Sequence, residues 1–105
     1  MLNPISLTVR LPEKLDEELT TACKSLGMPK TTLIRICIHD FLQDSNTTLD
    51  FSPCESAKTK RLVLNVNEHL NALLDDTALR AGRSVNAVVI AVSALALERA
   101  AKWLQ

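Results

Sequence analysis

The 105-residue chain has no Tyr, two Phe, one Trp and only two Gly. With so few aromatics, its core must be assembled from Leu, Val, Ile and Ala. Two Gly and four Pro supply too few turn residues for most all-β folds, so the composition leans helical. The three cysteines, Cys23, Cys37 and Cys54, are odd in number and form no Cys-x-x-Cys pair, which argues against a disulfide framework or a zinc ribbon. Reduced thiols in a cytoplasm are expected, with Cys23 and Cys37 as small core residues and Cys54 exposed. No signal-peptide pattern opens the chain. A membrane span needs roughly 20 apolar residues, and the apolar stretch from Ala87 to Leu97 is about half that.

An excess of one charge is also missing: 12 basic side chains balance 12 acidic ones. Composition alone therefore gives no argument for an acidic partner. The distribution is more informative. Residues 60–105 hold six basic and four acidic side chains, and Lys58, Lys60 and Arg61 form a basic cluster. Acids gather at Glu13, Asp16, Glu17 and Glu18 and at Asp75 and Asp76. Opposite charges are segregated, so a basic face can exist. Catalytic constellations are missing too, and the chain is not expected to be an enzyme. There is no Gly-rich phosphate loop, no metal-ligand cluster and no Ser-His-Asp set. His39 and His69 have no His or Cys three or four residues away to share a metal, so they read as surface or helix-end residues. No cofactor and no small-molecule ligand is expected.

What is present is a pattern that occurs twice. Ile5 to Leu11 alternates apolar and polar residues, as a strand with one buried face does. Pro12 suits the first turn of a helix, and Leu15, Leu19, Ala22, Cys23 and Leu26 recur at helical spacing up to a stop at Gly27. A second helix is predicted from Lys30 to Gln43, with Leu33, Ile34, Cys37, Ile38, Phe41 and Leu42 on its apolar face. Residues 44–59 are polar and read as a linker. The pattern then restarts: a strand over Arg61–Val66, an N-cap at Asn67, and Leu70, Leu73, Leu74, Ala78 and Ala81 at helical spacing. A stop at Gly82, an N-cap at Ser84 and a helix to about Trp103 complete it. At an offset of 55, Leu7 meets Leu62, Glu13 meets Glu68, Leu19 meets Leu74 and Gly27 meets Gly82. A tandem duplication is the expectation: repeat 1 over 1–43, a linker over 44–59 and repeat 2 over 60–105.

A single strand has no partner for its backbone, and a unit of about 45 residues cannot bury a sufficient core alone. Two equivalent strands can pair antiparallel and close a ribbon over four helices. Leu7, Val9, Leu11, Leu62, Leu64 and Val66 would then face the helices. Ser6, Thr8, Arg10, Arg61, Val63 and Asn65 would face outward. A two-stranded ribbon fits the DNA major groove, where base edges are distinguishable.

The pattern resembles the ribbon-helix-helix, or MetJ/Arc, family of DNA-binding proteins. Three segments carry the resemblance: Ser6-Leu-Thr-Val-Arg-Leu-Pro-Glu-Lys-Leu-Asp16, Gly27-Met-Pro-Lys-Thr-Thr-Leu-Ile-Arg35 and Gly82-Arg-Ser-Val-Asn86. It implies a mainly helical fold with a two-stranded antiparallel ribbon, the tandem repeats forming a pseudo-dimer within one chain. It implies double-stranded DNA as partner, with bases contacted by Ser6, Thr8, Arg10, Arg61, Val63 and Asn65. Arginine suits guanine, asparagine suits adenine, and valine suits the thymine methyl. The resemblance further implies a phosphate held at the start of each second helix, by Ser84 and Val85 with Arg83 adjacent. In the first repeat Pro29 stands where the family has a capping Ser, so Lys30 and Thr31 are the expected replacements. Lys58 and Lys60, at the entry to the second strand, are expected to meet phosphates as well. The tandem form is similar to relaxosome accessory proteins of conjugative plasmids. A cytoplasmic transcriptional repressor is the leading expectation. A relaxosome or partition accessory protein is the alternative, and an antitoxin-like interaction module a more distant one. The last helix is apolar nearly all round, which implies deep burial or self-association of chains on adjacent sites, with Trp103 and Leu104 at the seam.

Overall fold

The order of elements follows the hydrophobic periodicity: β1 (Ile5–Pro12), α1 (Glu13–Leu26), α2 (Lys30–Gln43), β2 (Thr59–Val66), α3 (Glu68–Ala81) and α4 (Val85–Trp103). The computed structural model describes residues 4–44, 48–52 and 58–105. Its architecture is mainly helical, with four helices and one two-stranded antiparallel sheet. Cys54 lies outside the described residues.

The helix boundaries have local causes. Gly27 and Gly82 end α1 and α3 in the left-handed region, at φ 73° and 64°, where a Cβ is strained. After each glycine the chain folds back: Met28 N donates to Cys23 O at 3.1 Å and Arg83 N to Ala78 O at 3.0 Å. Asn67 caps α3 by accepting from Leu70 N at 2.8 Å, and Ser84 caps α4 by accepting from Ala87 N at 3.1 Å. Pro12 differs from its expected place in the helix. It closes β1 opposite Thr59, and the helix starts at Glu13, whose N–H donates to Lys58 O at 3.0 Å. A proline at a strand end leaves no ladder hydrogen bond unmade.

β1 and β2 pair from Ile5↔Val66 to Pro12↔Thr59. Thr8 faces Val63, and the same two residues are equivalent at the repeat offset, since 63 − 8 = 55. The strands therefore pair symmetrically about that position. Beneath the ribbon, Val9, Leu11, Leu62, Leu64 and Val66 are buried and Leu7 is half-buried, as the alternation requires. They meet Leu19 of α1, Leu33, Ile34 and Ile38 of α2, Leu70 and Leu74 of α3, and Val88 and Val92 of α4 in one core. Burying each such side chain stabilises the fold by about 1.5–3 kcal/mol. Helix α4 packs against all three other helices and β1, which explains its apolar circumference. Trp103 and Leu104 at its end are about half exposed.

Two details depart from the sequence reading. Ala81 is exposed, at the last turn of α3. The linker is not wholly a polar tether, because Leu49 and Phe51 pack partly buried on the core. Asp16, one of the acids gathered at the start of α1, is buried and paired with Lys30, their atoms 2.6 Å apart. Cys23 and Cys37 are buried free thiols, and burial pushes Cys37 up to about 11. Among the described residues no single helix is long and apolar enough to cross a membrane.

Candidate nucleic-acid interface

The six residues expected to face outward are all exposed, and they form three cross-strand pairs: Ser6 with Asn65, Thr8 with Val63, and Arg10 with Arg61. Neither strand contains a carboxylate. Val63 stands at the middle of this face, 46% exposed, an apolar contact surrounded by polar ones.

The ladder geometry brings these pairs close. The side chain of Asn86 clamps the backbone of Arg10: its Oδ1 accepts from Arg10 N at 2.7 Å, and its Nδ2 donates to Arg10 O at 3.2 Å. Both backbone groups of Arg10 therefore point to the outer edge, not at Arg61. Arg10 and Arg61 form a non-hydrogen-bonded pair, the closer kind, with Cα atoms about 4.5 Å apart. Like charges placed so are destabilising. No ion pair among the described residues involves either guanidinium. An anion on this face would relieve the repulsion.

The other end of the face is neutral and internally satisfied. Ser6 Oγ donates to Asn65 Oδ1 at 2.8 Å. Asn65 O accepts from Arg35 Nη1 of α2 at 3.3 Å, and Arg35 Nη2 reaches Thr32 Oγ1 at 3.3 Å. At the repeat offset Asn65 is the counterpart of Arg10, since 65 − 10 = 55, so each half anchors the equivalent strand residue from its second helix. The chemistry differs: Asn86 anchors in one half and Arg35 in the other. Sequence reasoning missed both anchors, although Asn86 and Arg35 lie in the segments that carry the family resemblance.

The helix starts beside the ribbon also differ. At α4, Ser84 is exposed and caps the helix, Val85 is half-buried, and Arg83 is exposed with its guanidinium 5.0 Å from the Phe51 ring centre. The first N–H groups of such a helix have no intrahelical acceptor and carry the positive end of its dipole. At α2, Pro29 makes no side-chain cap bond. Thr31 is half-buried, and the Lys30 ammonium is engaged by Asp16 and by Thr20 Oγ1 at 3.1 Å. Lys58 and Lys60 are exposed, and Lys60 stands opposite Leu11, next to the Arg10–Arg61 pair. Lys58 also gives its backbone carbonyl to the start of α1.

His39 and His69 are surface residues, as expected from the sequence. Their ring centres lie 5.8 Å apart across α2 and α3, a proximity that the spacing along the chain does not indicate. No family model matches the chain, and no curated protein or solved structure matches it either.

Proposed function

We propose that this chain is a sequence-specific double-stranded DNA-binding protein of tandem ribbon-helix-helix type, whose two repeats act as a pseudo-dimer within one chain. The observation that carries the reading is the outward ribbon face. It is exposed, carries no carboxylate, and pairs Arg10 with Arg61, with no ion pair to either guanidinium among the described residues. A major groove about 12 Å wide admits a two-stranded ribbon. In it, Arg10 and Arg61 donate to guanine edges, Asn65 pairs with adenine, and Val63 and Thr8 meet apolar or mixed edges. The start of α4, with Arg83, Ser84 and Val85, holds a phosphate beside the Arg10 end, and Lys58 and Lys60 add phosphate contacts there. Thr31 gives a weaker contact at the other end, because Lys30 is already paired.

The zero net charge does not oppose this reading. The electrostatic contribution depends on the phosphates neutralised by the binding face, not on the sum over the chain. The biological role that fits such a reader is occupation of an operator, and so transcriptional repression in the cytoplasm.

Fluorescence anisotropy with mixed-sequence duplexes at low salt tests the reading. The wild type should bind, and Arg10→Ala/Arg61→Ala should lose most of that affinity while its circular dichroism is unchanged. Equal binding by the two proteins, or none by the wild type, would remove the ribbon from the function.

A further inference from the structure

Gln43, on the last turn of α2, lies between the two histidines. Its Nε2 is 2.8 Å from His39 Nε2 and 3.0 Å from His69 Nε2. A carboxamide NH2 carries two hydrogens, so one nitrogen can serve both rings only if both Nε2 atoms are acceptors. Both Nε2 atoms are therefore turned toward one point, the position of the Gln43 nitrogen. The rings are tilted by 57° to each other, so they approach that point from different directions. A neutral imidazole lone pair is the form that ligates a transition metal.

What lies behind the rings agrees. His39 Nδ1 is 3.5 Å from Asp40 Oδ1, and Arg99 Nη1 grips the other oxygen of Asp40 at 2.6 Å. A carboxylate on the far nitrogen is the usual outer partner of a metal-bound histidine. A surface hollow of about 380 Å³ beside the two rings is lined by Arg35, Ile36, His39, Asp40, Asn67, His69 and Leu70. The cation among these, Arg35, is directed at Asn65 O and Thr32 Oγ1.

We propose that His39 and His69 form a two-imidazole site for a divalent first-row transition-metal cation, bridging α2 and α3. Among the described residues no group of three or more His, Cys, Asp or Glu converges, so water completes the coordination. Gln43 swings aside. Each Nε2 then closes by about 0.7–1 Å to reach the ~2.0–2.1 Å of a metal–imidazole bond. Imidazole donors suit zinc, nickel and copper. The site joins a helix before the linker to one after it, so a bound ion resists their separation. This inference stands independently of DNA binding.

Calorimetric titration of the full chain without a histidine tag, using NiCl2 and separately ZnCl2, tests it alongside thermal melts. The wild type should bind one equivalent of Ni2+ and melt at a higher temperature with it. His39→Ala and His69→Ala, both at exposed positions, should each weaken binding about tenfold or more and lose the melting shift. Gln43→Ala should keep both, because the carboxamide is displaced by the ion. No binding by the wild type would overturn the site, as would undiminished binding by either histidine variant.

Discussion

At one end of the ribbon Arg10 faces Arg61, with Lys60 beside them and Arg83 and the capped start of α4 close by. At the other end Ser6 faces and hydrogen-bonds Asn65, Pro29 leaves α2 without a side-chain cap, and Lys30 is neutralised by Asp16. The backbone scaffold is the same at both: strands of 8 residues and helices α1 and α3 of 14, paired about Thr8 and Val63. On the proposed reading of two ribbon-helix-helix units in one chain, the difference is what joining them permits. Two identical chains must present the same surface twice. One chain can concentrate charge at one end and leave the other for neutral contacts. A target without palindromic symmetry follows from the proposed function.

The largest expected effect comes from removing the basic end. Arg10→Ala/Arg61→Ala should cost about 2–6 kcal/mol of specific DNA affinity, at 1–3 kcal/mol per arginine. Ser6→Ala, at the neutral end, should cost under about 1 kcal/mol. Titration against one selected duplex checks both, and equal losses would abolish the contrast. Where the halves are alike, they should respond alike. Leu19 and Leu74 are equivalent and both fully buried, so each change to Ala should lower stability by about 2–5 kcal/mol in urea unfolding. A single transition in both variants is expected because the halves share one core.

The buried ion pair belongs to the first half alone. Lys30→Val strands the Asp16 carboxylate, only 7% exposed, and should cost about 1–3 kcal/mol, below the figure for a fully buried pair because Lys30 is 27% exposed. Adding Asp16→Asn recreates the Asn71 and Val85 of the second half and should recover most of that loss in the same assay. The caps should give the smallest changes. Ser84→Ala should lose about 1 kcal/mol of stability, whereas Pro29→Ser should gain a few tenths and bind DNA more tightly by a small factor.

Much of the scaffold was legible in the sequence because it is written locally. Alternation over Ile5–Leu11 and Arg61–Val66 assigned each strand face, Gly27 and Gly82 marked helix ends, and Asn67 and Ser84 marked caps. The antiparallel pairing followed from needing a partner for each lone strand. The outward face was legible for the same reason. What escaped was contact between distant residues. Asn86 anchors Arg10 from 76 positions away, Arg35 anchors Asn65 from 30, and Lys30 reaches Asp16 from 14. Such contacts depend on how helices sit against the ribbon, which periodicity does not specify. The approach of His69 to His39 and Gln43 is likewise a contact between helices, which spacing along either one does not reveal. Leu49 and Phe51 were overlooked because the surrounding linker is polar.

The most direct test of the DNA-reading ribbon is selection from a random-sequence duplex pool, repeated at two salt concentrations. Enrichment of a short, non-palindromic motif is expected, with affinity falling steeply as salt rises. Failure to retain any duplex at low salt would contradict a DNA-reading ribbon, and enrichment of a perfect palindrome would contradict the inequality of its two ends.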